Sequence, residues 1–417
     1  MPTEKSTAME HSERRKARYA NYITVLFLLI LGMKTLDGSA LTYMSDSVIA
    51  QLGITNGQYS KLSAYYYLSY SLSCIAAGIL SSRVSRRKIL IAVMTIAVGL
   101  ISIATSFVTT YRQLVLCRLA TGVFQGGSMS FMLAIVAKNL VRDEYGTRSG
   151  IINLGSSLIS LFVGPIFYYY MAEHFSWNTG YRFTGTAILL LGVICLLTVG
   201  EVHVKTQRGG GGLSAFGRTV KECAHSKVFL MCFFIGILET ISNLSISVFR
   251  PLYYTDIMGF DAAKKALYIA VGGIAYLPVS LAVPVLADRF PVQKVLVGTF
   301  ILAWIAPAAV WLFPGTGLSA VLLALVGGVG GATVTLFTYM IPRYALPERL
   351  HGFANGVILG VACLIGGTTA PAILGDLVDL YGWTIPQVIA VTAGTYLICI
   401  ILSLFLRVRK YEPSADE

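Results

Sequence analysis

Charge is what this chain has least of. Only 12% of its 417 residues are Asp, Glu, Lys or Arg, roughly half the share found in soluble domains. A water-facing surface needs more, so the soluble, cysteine-rich secreted and low-complexity classes are excluded. Histidine is scarce as well. The five, His11, His174, His203, His225 and His351, fall in tails or loops, so no histidine relay is expected inside an apolar segment. The seven cysteines, Cys74, Cys117, Cys195, Cys223, Cys232, Cys363 and Cys399, are odd in number, lack CxxC spacing and lie mostly in apolar runs. They read as packing residues, with neither disulfide nor metal implied. HExxH and GxSxG are missing, and Ser149 between Gly146 and Gly150 reads as part of a helix-start loop. An enzyme is therefore not expected, nor a catalytic residue, metal or cofactor. A cleavable leader is not expected, because polar residues 1–18 precede an apolar run that has no small-residue cleavage site.

What the chain has is apolar length. Hydrophobic residues make up 55% and the mean hydropathy is +0.71. A membrane-crossing helix needs about 20 largely apolar residues. That ruler gives twelve spans, at about 20–44, 57–81, 89–109, 113–137, 148–171, 181–200, 228–254, 264–287, 294–313, 317–341, 352–375 and 385–407. Gly164-Pro165 and Thr369-Ala370-Pro371 lie within them and are tolerated where neighbouring helices satisfy the freed backbone. The net charge of +12 is then a topology signal, with no nucleic-acid partner implied. Of the 32 Lys and Arg, twenty-four fall in the tails and the even-numbered connections, while Lys61, Arg112, Arg182, Lys264 and Lys265 alone fall in the opposite loops. Both termini are expected in the cytoplasm of a bacterial inner-membrane type of cell membrane.

The expected organisation is a cytoplasmic tail at 1–19, a six-helix half at 20–200, a cytoplasmic linker at 201–227 that holds Gly209 to Gly212, a second half at 228–407 and a tail at 408–417. An offset of 206 residues pairs Leu80 with Leu286, Arg83 with Arg289, Lys88 with Lys294, Gly122 with Gly328, Gly146 with Gly352, Gly150 with Gly356, Pro165 with Pro371 and Trp177 with Trp383. Trp, Pro and loop cations in one register indicate a parallel six-helix repeat, an organisation used by membrane transporters.

Gly78-Ile-Leu80-Ser-Ser82-Arg83-Val-Ser85-Arg86-Arg87-Lys88 resembles the loop motif GxLaDrxGrrk of the major facilitator superfamily. Pro284-Val-Leu286-Ala-Asp288-Arg289 through Lys294 resembles its second-half copy, and Arg118-Leu-Ala-Thr-Gly122 with Gly126-Gly127 resembles the superfamily's RxxxGxxxG pattern. The resemblance implies an all-α membrane protein, twelve transmembrane helices in two six-helix pseudo-repeats. It also implies a gating latch at Arg83, Arg87, Asp288 and Arg289, lopsided because Ser82 and Ser85 stand where the family usually has Asp and Gly. The alternative for these loops is simple positive-inside anchoring. A finer resemblance is to the anion:cation symporter branch, through Asp37, Tyr66, Tyr70 and Arg118. Gly38 departs from it where an Arg often follows the first-helix acid, and Gln125 where Glu is often found.

Five ionisable residues lie within spans: Lys34, Asp37, Arg118, Glu239 and Arg250. Each costs several kcal/mol in a bilayer and is a functional candidate. At 1.5 Å per residue, Asp37 and Arg118 fall at one depth, Lys34 lies one turn deeper on Asp37's face, and Glu239 falls near the midplane. Asp37 with Arg118 reads either as a permanent structural pair or as a carboxylate that cycles between ionised and protonated forms; Glu239 is the second proton-coupling candidate. Lys34 either neutralises Asp37 or Glu239 or faces the substrate, and Arg250 either snorkels at a helix end or binds substrate. Three cations against two acids favour an anionic substrate. Tyr66, Tyr70 and Gln125 are expected beside it, Tyr65 and Tyr67 elsewhere, and Tyr168-Tyr169-Tyr170 in an interfacial aromatic belt.

The expected function is proton-coupled uptake of a small organic anion, a sugar acid or carboxylate, by alternating access in a monomer whose partners are substrate, protons and lipid. The alternative is an exporter of amphipathic drugs or metabolites by proton antiport. Exporters of that kind often carry Gly-Pro-Gly-Gly in span five, of which only Gly164-Pro165 is present.

Overall fold

The computed structural model describes residues 3–80, 86–128, 154–200 and 221–406, together with isolated residues 131, 132, 135, 148, 151 and 152. Among the described residues, nine helices are long and apolar enough to cross a membrane. The other three spans of the bundle are the second, Asn56–Leu80, the fourth, Tyr111–Gln125, and the fifth, which turns as a π-helix over Ser156–Val163 and continues as Gly164–His174. Apolarity is diluted in the second span by Tyr65-Tyr66-Tyr67, Tyr70 and five serines, and in the fourth by Arg118 and Gln125.

The first span is longer than its apolar run. Its helix covers Thr3–Tyr43, so the polar tail expected before residue 20 is continuous with the span. A short helix, Ser45–Leu52, follows it and is stopped by Gly53 in the left-handed conformation (φ 59°). Hydropathy alone gives no sign of that helix. The seventh span runs Lys227–Leu252 and continues as a π-turn to Ile257, so Arg250 lies inside the helix and not at its end. The eleventh is also π-wound at Cys363–Thr369, between Glu348–Ala362 and Ala370–Tyr381.

Helix neighbours follow the repeat. The third span (Arg87–Thr105) packs on the sixth (Trp177–Thr198), and the ninth (Val292–Leu312) on the twelfth (Ile385–Phe405). Between halves, the second span meets the eleventh and the fifth meets the eighth (Ala262–Arg289). The 206-residue offset turns each member of these couples into its partner couple, which is a pseudo-twofold relation. The third, sixth, ninth and twelfth spans carry bare apolar side chains such as Leu100, Leu190, Trp311 and Leu404, the surface a lipid-facing helix presents. The third and sixth spans approach at Gly99 and Gly185, where a Cβ on either would press on the other's backbone at 2.8 Å or less. Small residues at such crossings let helices associate where water supplies no driving force.

All seven cysteines are free. Cys223 lies outside the spans, and burial pushes its thiol up to about 11, so it stays protonated at neutral pH.

On the bundle face that carries the turn after the first span, here the distal face, the halves are tied by polar contacts. Lys265 pairs with Asp46, and Lys61 Nζ lies 2.5 Å from Asp376 Oδ1. Thr55 Oγ1 and the Gly57 amide donate to Asp379, at 2.5 and 3.1 Å, and Asn56 Nδ2 donates to Asp256 at 3.1 Å. Gly57 faces Gly375 so closely that a Cβ on Gly57 would lie 2.8 Å from the Gly375 carbonyl oxygen.

The opposite face is described only in part. Arg83 and the linker 201–220 lie outside the described residues, as does the Asp288 side chain. Arg87 is half-buried in the first turn of the third span, and Arg289 is exposed at the end of the eighth.

Candidate functional site

The site is built on the glycines of the fourth span. A Cβ at Gly122 would lie 2.8 Å from the Tyr70 amide and would overlap the Tyr66 carbonyl, and one at Gly126 would overlap the Tyr70 carbonyl. Only glycine lets the fourth helix lie against the second this closely. The fourth helix ends at Gly126 and the left-handed Gly127 (φ 71°). Arg118, one turn before Gly122, is thereby held against the first span.

Arg118 is 3% exposed. Its Nη1 donates to the Gly38 carbonyl at 3.3 Å, its Nη2 donates to the Tyr181 hydroxyl, and its guanidinium lies 5.6 Å from the Tyr181 ring centroid. Asp37 is 1% exposed and accepts from Ser102 Oγ at 2.5 Å. Arg118 is the cation whose field reaches the Asp37 carboxylate. The two share a depth without closing a direct ion pair: among the described residues, pairs within 4 Å are Lys61–Asp376 and Lys265–Asp46. A permanent Asp37–Arg118 salt bridge is therefore not what this conformation contains.

Ser102 and Tyr181 are the residues that sequence reasoning missed. Ser102 Oγ also lies 3.1 Å from the Tyr181 carbonyl. A hydroxyl has one hydrogen and two lone pairs, so it serves one acceptor at a time. With Asp37 ionised, Ser102 donates to the carboxylate. With Asp37 protonated, the acid can donate to Ser102, which then turns to the carbonyl. Both protonation states of Asp37 are hydrogen-bonded without moving a helix.

Lys34 does not act with Asp37. Its Nζ donates to Ser128 Oγ at 2.9 Å and to the Phe124 carbonyl at 3.3 Å, both at the far end of the fourth span. Helical side chains lean toward the helix N-terminus, so the long Lys34 side chain reaches away from Asp37 although three residues separate them. Gln125 Nε2 closes the clasp on the Lys34 carbonyl at 2.8 Å, and Gln125 Oε1 is buried without a partner. Lys34 is part of the joint between first and fourth spans, and it lines neither cavity described next.

Two cavities abut between the halves. One, of about 80 Å3, is bounded by Gly38, Thr42, Ser63, Tyr66, Tyr67, Arg118 and Gln125, with Leu244 and Val248 on the far wall. The other, of about 210 Å3, is bounded by Ser157, Ser160, Asn243, Arg250, Tyr276 and a glycine wall at Gly272, Gly273, Gly327, Gly328 and Gly331. Thr35, Ser39 and Ser247 border both. Gly38 leaves little room for a side chain, since a Cβ there would meet Gln125 Nε2 at 3.1 Å and the Tyr66 hydroxyl at 3.2 Å, and either would have to give way.

Several expectations are corrected. Arg250 is 8% exposed, with Nε lacking a partner; it lines the larger cavity and does not snorkel, because the seventh helix continues past it. Tyr67 lines the smaller cavity, whereas Tyr70 packs on Tyr66 and Tyr67 at ring separations of 5.7 and 6.3 Å and lines neither. Glu239 borders neither cavity. Its Oε2 accepts from Thr240 Oγ1 at 3.4 Å, and its Oε1 has no partner. Lys34 therefore does not neutralise it. Tyr168 is fully buried, donating to Thr184 Oγ1 at 3.2 Å, and so does not belong to an interfacial belt, whereas Tyr169 is half-buried and Tyr170 49% exposed.

The family model described as Major Facilitator Superfamily matches residues 23–371. A probable nitrate/nitrite antiporter of Thermus thermophilus, NarK1, is 25% identical over 319 residues, 74% of this chain and 69% of the relative. The membrane sensor protein UhpC of Escherichia coli K12 is 21% identical over 381 residues, 83% of each chain. Among solved structures, a bacterial homolog of the human lysosomal transporter Spinster, inward-facing and occupied, superposes with a TM-score of 0.73 at 15% identity, covering 95% of this chain and 99% of that one. At that identity the likeness speaks for the fold alone.

Proposed function

We propose that this chain, which belongs to the Major Facilitator Superfamily and is a multi-pass membrane transporter, takes up a small organic anion together with a proton. The observation that carries the reading is the charge on the cavity walls. The cavity-lining charges among the described residues are two guanidiniums, Arg118 and Arg250, with hydroxyls from Thr35, Ser39, Ser63 and Ser247 between them and no carboxylate. A buried guanidinium without a partner is costly, and a carboxylate that accepts its hydrogen bonds removes the cost.

Asp37 carries the proton in this reading. Ionised, it compensates Arg118 across the Gly38 backbone; protonated, it remains bonded through Ser102 and leaves Arg118 free for the anion. Proton and anion then favour each other's binding, so anion affinity rises as pH falls. The excess of Lys and Arg on the side of the termini supports a cytoplasmic location for both ends in a cell membrane. The distal face is then the outer one, and its closed contacts describe a state shut to the outside, from which the halves rock about the shared cavity. The carrier works as two halves at about 20–200 and 228–407, and as a monomer.

The two lining guanidiniums also favour an anion over the amphipathic solutes of an exporter, which have no charge to set against them. The test is uptake in proteoliposomes of radiolabelled lactate, gluconate, galacturonate and succinate, with and without an inward proton gradient. Uptake of at least one that is concentrative only with the gradient, and lost in Arg118→Gln, supports the proposal. Transport of none of them, or accumulation that ignores the gradient, overturns it.

A further inference from the structure

The two cavities hold one guanidinium each, and the two differ in their surroundings. Arg118 donates to Gly38 and Tyr181 and lies in the field of Asp37. Arg250 is buried with an unpartnered Nε, and among the described residues it makes no hydrogen bond or ion pair; Gly272, bare of side chain, is its neighbour, at 3.4 Å from Nη1 to the position a Cβ would take. A single anion placed on either cation leaves the other exposed to the emptied cavity. Once Asp37 is protonated, Arg118 has lost its compensation as well, and two buried guanidiniums then face adjoining cavities that share Thr35, Ser39 and Ser247.

We infer that the transported anion has two separate anionic groups, one at each end, with Arg118 holding the first and Arg250 the second. This rests on the anion-uptake reading above and narrows its substrate class. The small lobe at Arg118, edged by the Tyr66 hydroxyl and sealed at Gly38, fits a flat carboxylate. The larger lobe at Arg250 accepts a carboxylate with substituents or a tetrahedral anionic group. Thr35, Ser39 and Ser247, which border both lobes, flank the linker with hydroxyls and suit a short, polar one. One charge at each end, and not total charge, is the property selected, because the two cations belong to different halves of the bundle. A ditopic ligand thus bridges the halves that must move against each other, while an anion with one charged centre grips one half only.

The experiment is isothermal titration of the purified full-length protein at one pH with propionate, sulfate, malonate, succinate, glutarate and adipate. Sulfate carries two charges on one centre and separates net charge from spacing. At least one dicarboxylate is expected to bind ten-fold or more tighter than propionate and than sulfate, with an optimum in chain length. In Arg250→Gln that dicarboxylate should fall to the affinity of propionate, while propionate changes less than three-fold. Arg250→Lys, which keeps the charge, should fall between the two and guards against a folding defect. Equal affinity for propionate and every dicarboxylate, no length optimum, or an equal loss for mono- and dianions in Arg250→Gln overturns the ditopic substrate and leaves anion uptake standing. If no anion in the series binds, the ditopic substrate falls, while anion uptake stands or falls by the proteoliposome uptake of lactate, gluconate and galacturonate.

Discussion

The first half of the bundle and the second treat buried charge differently. Around Arg118, Asp37 and Lys34 nearly every donor and acceptor is used: guanidinium to carbonyl and phenol, carboxylate to serine, ammonium to serine and carbonyl. Arg250 and Glu239 are buried too but left open, with Arg250 Nε and Glu239 Oε1 lacking partners. A half whose charges are saturated is built in advance of its ligand, whereas one with open charges is completed by it. In the proposed cycle the first half holds the proton site and the second supplies the place that the anion fills.

Substituting the two arginines breaks the comparison most sharply. Arg118→Gln removes two made hydrogen bonds and strips Asp37 of its cation, a change worth about 3 kcal/mol or more, so the melting temperature of the purified protein and anion uptake should both fall. Arg250→Gln removes a cation with no bond to lose. Its melting temperature should hold or rise while anion uptake falls about 10- to 100-fold, the worth of charge-assisted hydrogen bonds of about 1.5–3 kcal/mol. Equal thermal losses in the two variants would erase the distinction between the halves.

Next in size is Ser102→Ala. It leaves the ionised Asp37 without its donor at a cost of about 1–3 kcal/mol, and because the bond to the charged carboxylate is stronger than the one the neutral acid makes to Ser102, the pH at which uptake is half-maximal should move upward. A pH–uptake profile that does not move would place Ser102 outside the proton step. The smallest effect belongs to the distal face. Lys61 and Asp376 are 35% and 39% exposed, so Lys61→Met should cost less than about 1 kcal/mol in unfolding. Lys265 is nearly buried against Asp46, and Lys265→Met should open the distal face, read as faster labelling of a cysteine placed at Ser45.

Much of the frame is legible in the sequence, for reasons that also explain the misses. Apolar length marks the membrane spans, and the 206-residue register foretells that the second and eleventh spans pair as the eighth and fifth do. Depth counting brings Arg118 to the level of Asp37, because both sit on regular helix. The same counting misplaces Arg250, since the π-turn after Leu252 prolongs the seventh helix beyond its apolar run. It misreads Lys34 because sequence spacing carries no information on how far, or which way, a long side chain reaches. Ser102 and Tyr181 escape because serine and tyrosine are commonplace here, and their roles depend on the third and sixth helices meeting the first. Lys61 and Lys265 counted only as stray cations on the sparse side, yet they tie the halves together.

The central claim is that Asp37 moves a proton with the anion. Proteoliposomes holding a pH-sensitive dye, preloaded with no substrate and given an external dicarboxylate, report it directly. Acidification of the lumen that follows anion addition in the wild type, and vanishes in Asp37→Asn while exchange of labelled anion persists, is the predicted result, since the amide mimics the protonated acid and removes only the proton step. Anion entry without acidification in the wild type, or an Asp37→Asn protein that still concentrates the anion against its gradient, would contradict it.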